Sequence, residues 1–522
     1  MTAFVDVLLR AAILVGQAAA IGGVAFAVLV LPSGSDRSRP TPGLVRVLAL
    51  LALGATAAAA AQVLSVATLL GSLADESGWP AWRILTTSYF QAGVVKISAC
   101  LGLIGGCVAA RRRPAAPGPK LALLAFALLL AAGAAWTSHA AARLGQRGLP
   151  LALETVHQLA AATWIGGLLH LAVTAFRDRE QRTPPRLLKR FSTVAGVSVA
   201  TLIAAGVGLA VHYIDGLHAL LGTAYGVMVL TKVTILGGLV ALGAANFLTV
   251  RRLPDSGDVS PQRLRRFVEV ELGLGITVLF VAASLTSLPP AVDVVTDRAT
   301  LAEVSTRFTP RWPTFSSPPI EALPVGDRDA PRTDEDRAWS EFNHHVSGLL
   351  VLSMGLLASL ERFRDAQWAR HWPLVFLGLA GFMMVRNDPG AWPLGPRGFW
   401  ESMTEPAALQ HRVFVLLVVA FAVFEWQVRT GRLRAPRYAL VFPLLCAVGG
   451  GLLLAHSHAS LNLKSEFLIE VTHAPLGVLG ILVGWARWLE LRLPPPGGRI
   501  AGRLSASALA LVGVLLLFYR ES

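Results

Sequence analysis

The sequence predicts an all-α fold: a polytopic integral membrane helix bundle of about fourteen spans, in two domains built from repeated helical units. Three observations lead there. Of 522 residues, 54% are hydrophobic and only 15% are charged, against about 25% charged in soluble chains. Apolar runs close to the roughly 20 residues that cross a bilayer recur along the whole chain. Lys and Arg gather in every second loop between those runs, which is the topology signal of membrane proteins.

In order, runs near 5–31, 44–71, 84–110, 120–138, 151–176, 191–213, 222–250 and 266–288 give eight spans. The first is longer than a signal-peptide core and lacks a basic start, so it is expected to remain as a span. Six more follow near 342–360, 372–386, 407–428, 438–455, 467–488 and 503–519. The interval 289–340 is rich in Pro, Asp and Arg without helical periodicity, and marks the expected boundary. The expected domains are therefore a membrane domain at 1–290, an extracytoplasmic linker at 291–340 and a second, histidine-rich membrane domain at 341–522. Basic clusters such as Arg111 to Arg113, Arg251 with Arg252, and Arg429 with Arg432 fall in alternate loops. Assigning those loops to the cytoplasm puts both termini outside. The net charge of +14 is thus spent on topology, so lipid is expected as a partner and nucleic acid is not. Three cysteines, Cys100, Cys107 and Cys446, lie inside apolar runs and build no disulfide framework.

Internal echoes argue for duplication of a helical unit. Gln91 to His139 is 48 residues, as is Gln410 to His458, and each interval ends in Ser-His-Ala. Glu-x-x-His follows both, as Glu154 with His157 and Glu470 with His473. Tyr89 precedes Lys96 by seven residues and Tyr225 precedes Lys232 by seven. Ile21-Gly22-Gly23 matches Ile165-Gly166-Gly167. If the units are related, His139 should lie near His157 at one depth, as His458 should near His473.

On this topology the histidines gather at the outer face. His344, His345, His411, His456, His458 and His473 sit at outer span ends of the second domain, and His139 with His157 form a smaller group in the first. A lone imidazole at headgroup depth is ordinarily a solvated interfacial residue. Several helices presenting imidazole at one level point instead to a metal, for which neutral imidazole is the commonest nitrogen ligand. Glu470 and Glu154, three residues before His473 and His157, share a helix face with them and are expected to orient the rings from behind. Met354 and Cys446 lie about three turns deeper and offer soft sulfur suited to Cu(I), although ordinary core packing is the favoured reading of both. Lys232 and Glu271 are intramembrane charges, which pair or line a path. Glu271 and Asn246 fall at similar depth and are expected to be neighbours, whereas a direct Lys232–Glu271 pair is not. No nucleotide-binding or hydrolase motif is present, so the expectation is not an enzyme.

With these residues in place, the chain resembles the copper-resistance protein D (CopD) family, long form with an additional membrane domain. Over 130–290 the likeness rests on Ser138-His139, on His157-Gln158-Leu159 leading to Trp164-Ile165-Gly166-Gly167, on Tyr225 to Lys232 with Asn246, and on Arg266 to Glu271. The second part, from Phe342-Asn343-His344-His345 to Trp488, is similar to the carboxy-terminal domain of longer members. The resemblance implies copper taken up at the extracytoplasmic face of a bacterial inner membrane, often from a periplasmic CopC-like carrier; no fused CopC-like domain is visible here. Two other readings use the same residues. One is a b-type membrane cytochrome with bis-His haem on His411 with His473 or His344. The other is a copper-delivery factor for oxidase assembly.

Overall fold

The computed structural model describes residues 2–31, 40–77, 81–143, 145, 147–175, 184–254, 262–323, 332–455 and 464–521. The described chain is 83% helical without strands, and 13 of its helices are long and apolar enough to cross a membrane. It divides into two compact units, one running to Arg298 and one formed by Ala299 to Leu454 with the last two long helices.

The first unit holds eight spans: α1 (Val5–Val30), α2 (Pro42–Gly71), α3 (Ser88–Arg112), α4 (Pro117–Ala135), α5 (Gly148–Ala175), α6 (Pro185–Tyr213), α7 (Ala224–Arg251) and α8 (Gln262–Leu285). Small residues explain why α1 lies at its centre. A Cβ on Gly16 would come within 2.7 Å of the Gly54 carbonyl on α2, and one on Gly166 of α5 within 1.8 Å of the Ala18 carbonyl. Without a hydrophobic drive between helices in lipid, such close backbone approach supplies the packing. The two echoed Gly-Gly segments therefore meet, Gly22 against Gly166. Each also adjoins a π-helical turn, Phe26–Val30 and Ala162–Gly166. Inside this packing, His170 donates from Nε2 to the Ala19 carbonyl at 2.8 Å. Helix starts follow local chemistry: the Thr223 hydroxyl accepts from Gly226 N–H at the head of α7, and Pro185 opens α6 where no donor is needed. At the end carrying the N-terminus, Arg298 bonds Asp215 at 2.9 Å and Arg143 bonds Asp293 at 3.2 Å, which fixes the segment after α8.

The second unit begins with a short helix, α9 (Leu301–Phe308), closed by a capping box of Thr300 and Glu303. Its long helices are α10 (Asp334–Phe363), the shorter α11 (Val375–Arg386), α12 (Ala408–Arg429), α13 (Tyr438–Ala455), α14 (Lys464–Arg492) and α15 (Gly497–Leu517). Here the structure departs from the expected boundaries. The stretch expected to lack helical order contains α9, and its residues 309–319 are neither helix nor strand. α10 starts at Asp334, well before the expected 342, because a Thr333–Asp336 capping box and three acidic residues in the first turn stabilise a polar start. The run expected at 372–386 enters through a 3-10 turn, Gln367–Leu374, and leaves only 12 α-helical residues in α11. This accounts for thirteen long spans where about fourteen were expected.

α10 and α15 pack at glycine, Gly348 against Leu517 and Gly355 against Ala510, as do α13 and α14 at Gly450 and Gly477. At the arginine-rich end, Arg362 grips Glu490 through two bonds of 3.0 and 3.2 Å. Arg429 bonds Glu425 at 2.7 Å and Glu361 at 2.9 Å, with its guanidinium 4.6 Å over the Trp372 ring. Charges this enclosed are tolerated only when paired in this way.

Candidate metal centre

In the second unit the structure brings together two of the predicted histidines. His344 on α10 and His473 on α14 have ring centres 5.8 Å apart at a steep angle. Each ring is oriented by its own helix: His344 Nδ1 donates to the Ser340 carbonyl, and His473 Nδ1 to the Ile469 carbonyl, both at 2.8 Å. A carbonyl can only accept, so Nδ1 carries the proton and the Nε2 lone pair is left to bind. The carbonyl four residues back thus does for His473 what Glu470 was expected to do; Glu470 itself is buried on α14.

The remaining candidates have other fates. His345 is engaged at both ring nitrogens by backbone: Nε2 donates to the Tyr519 carbonyl at 2.9 Å, and Nδ1 accepts from Thr314 N–H at 3.1 Å. It ties the irregular segment 309–319 and the residues after α15 to α10, leaving no lone pair for a metal. His411 donates to Asp388 at 2.7 Å and is half exposed. His456 and His458 lie outside the described residues. Among the described residues no three of His, Cys, Asp and Glu come together in a group that could hold a metal ion. Met354, 0% exposed, and Cys446 do pack into one cluster with Trp372, Phe442 and Val483.

Sequence reasoning missed Tyr519. Its ring stacks on His344 at 3.8 Å and stands 5.6 Å from His473. Its hydroxyl donates to Glu521 at 2.8 Å, and Glu521 also receives Arg332 at 2.9 Å and the Ser340 hydroxyl. Burial pushes the Tyr519 phenol up from its ordinary pKa. The only signal in the sequence was a Tyr-Arg-Glu run just past an apolar span.

In the first unit, His139 and His157 meet different turns of α6. His139 heads a short helix, His139–Ala142, capped by the Ser138 hydroxyl. Its ring stands 6.2 Å from Tyr213 at the end of α6 and 6.0 Å from Tyr225 on α7. Burial lowers its pKa. His157 instead donates from Nδ1 to the Leu202 carbonyl at 3.1 Å and lies against Gly206. The expected pairing at one depth is therefore not formed. Glu154 accepts from Gln158 at 2.9 Å, Gln158 accepts from Gln17 at 2.8 Å, and Glu154 is the charged neighbour of Lys232. Glu271, 3% exposed, takes neutral donors, Asn246 at 2.8 Å and Trp164 at 3.1 Å. The Asn246–Glu271 neighbourhood was expected; the indole was not.

Comparison with known proteins adds a family likeness. Residues 1–149 match the model described as copper resistance protein D-like, N-terminal domain, and residues 185–285 match copper resistance protein D. Both segments lie within the first unit. A relative from Bacillus subtilis (strain 168), named copper transport protein CutJ, is 31% identical over 169 residues, which is 31% of this chain and 29% of that protein. The match thus spans less than a third of the relative's length. No solved structure matches. Two segments along the first unit of this polytopic helical protein, 1–149 and 185–285, are thus similar to the copper-resistance protein D family.

Proposed function

We propose that the protein takes up copper at the extracytoplasmic face of a bacterial inner membrane and passes it across, copper being its cargo. The family likeness and the relative's name support copper. The observation that carries the uptake site is the His344–His473 pair. With metal–nitrogen bonds of about 2.0 Å, two imidazoles on one ion have ring centres roughly 5–6.5 Å apart, and these stand at 5.8 Å. Both rings have their binding nitrogen free of the helix that orients them. Met354 follows His344 by ten residues on α10, about 15 Å deeper at the helical rise. With Cys446 in the same cluster it offers softer ligands along the way, and conduction needs several weak sites rather than one tight one. The alternating basic loops set the orientation.

The test is the double variant His344→Ala/His473→Ala, purified intact and analysed for copper per chain, with radiocopper uptake measured in cells. Loss of one bound copper and an uptake at least about tenfold slower are expected. A folded, inserted variant with parental copper content sinks the proposal. Haem at this pair is disfavoured, because the Tyr519 ring fills the space beside both imidazoles that a macrocycle would need. An optical spectrum of the same sample reads this directly, since a Soret band would mean a cytochrome.

A further inference from the structure

We propose that His139, Tyr213 and Tyr225 form a second metal site, in the first unit, that takes cupric ion through imidazole nitrogen and phenol oxygen. The proposal rests on the copper reading above but on different residues and a different unit.

The first observation is an imidazole with nothing to do. His139 bonds the Leu285 carbonyl, while its Nε2 is buried and makes no hydrogen bond among the described residues. In the tautomer protonated at Nδ1, Nε2 holds an open lone pair. The second is that the Tyr213 hydroxyl is also buried and without a hydrogen-bond partner, in a residue only 4% exposed. Buried polar atoms are almost always satisfied, so each orphan calls for an occupant. The third is convergence. The three rings form a triangle with centres 6.0 to 6.2 Å apart, each edge-on to the others. Two orphaned atoms carried by rings of one triangle make a built site rather than a packing accident.

The chemistry of the donors selects the ion. An imidazole nitrogen with phenol oxygens and no sulfur suits Cu(II) better than Cu(I). Glu154 is a charged neighbour of both phenols, and Asp293 is another beside Tyr213. Arg143 lies 5.4 Å over the Tyr213 ring and is itself paired with Asp293; Arg10, paired with Asp6, is the other cation near His139. When a phenol binds as phenolate its O–H bond breaks and an oxygen–copper bond forms, the proton passing to the buffer. His139 falls in the first matched family segment, and Tyr213 and Tyr225 fall in the second, so the site joins the two.

The experiment titrates the purified full-length protein with cupric ion alone. The parent should bind two equivalents and show a phenolate-to-copper charge-transfer band. His139→Gln and the double variant Tyr213→Phe/Tyr225→Phe should each lose that band and fall from two equivalents to one; the Phe changes keep the rings and remove only hydroxyls. His344→Ala/His473→Ala should keep the band while losing the other equivalent, so failure of the uptake site and failure of this one are told apart. A parent without the band, a parent binding a single copper, or either first-unit variant with parental copper content overturns the proposal.

Discussion

Two adjacent imidazoles on α10 have opposite chemistry because consecutive helical positions point about 100° apart. His344 faces α14 with its binding nitrogen open, while His345 spends both nitrogens on backbone. His345→Ala should therefore cost about 1–3 kcal/mol by orphaning the groups it satisfies, seen as a lower melting temperature in detergent, with copper content unchanged. A second residue-scale expectation concerns pH. Lys464, at 2.6 Å, holds the exposed Glu303 carboxyl down to about 2 from an ordinary 4.5. A carboxyl with a depressed folded pKa stabilises fully above its unfolded value, and that stability drains as pH falls toward the folded value. Glu303→Gln should thus melt below the parent at pH 7, and the gap should narrow steadily from pH 4.5 downward; a constant gap would show that the pair contributes nothing. At this scale the sequence revealed which residues could bind, because histidine and intramembrane charge are conspicuous in apolar runs. It did not reveal which nitrogens were already engaged. The partners of His345 lie 31 and 174 residues away, and Tyr519 reaches His344 only because α15 returns beside α10.

Elements were legible in proportion to how much of their signal is apolar. Runs of about twenty hydrocarbon residues give their spans directly, whereas the polar first turns of α10 depend on a cap, and the 3-10 entry to α11 has no hydropathic signature. The crossing of α1 and α5 was legible only as an echo, Gly22-Gly23 with Gly166-Gly167; nothing in the pattern said that the echoed segments touch. That contact is testable. A Cβ at Gly166 would sit 1.8 Å from the Ala18 carbonyl, whereas nothing lies within 4 Å of one at Gly237 on α7. Gly166→Ala should destabilise by about 1–3 kcal/mol through overpacking, and Gly237→Ala should be neutral or stabilising by about 0.5–1 kcal/mol, the ordinary helical gain. Equal melting temperatures for the two would remove the close crossing.

At the scale of the molecule, the alternating basic loops make a claim about sidedness. A cysteine replacing Ser316, which is exposed in the irregular segment 309–319, should react with an impermeant thiol reagent added to intact cells, and one replacing Thr430 should not. Labelling of Thr430→Cys from outside would invert the topology and move the His344–His473 pair to the wrong side for uptake. The central position of α1 also sets a timetable for biogenesis. Its Gly22 face is completed by Gly166, which leaves the ribosome 144 residues later. At about 5–20 residues per second that is a delay of roughly 7–30 s. Throughout that interval the first span carries an unfilled small-residue groove, open to lipid or to whatever machinery inserts it. Nascent chains arrested after α4 should therefore crosslink from Gly22→Cys to the insertion apparatus, and chains arrested after α6 should have lost that contact.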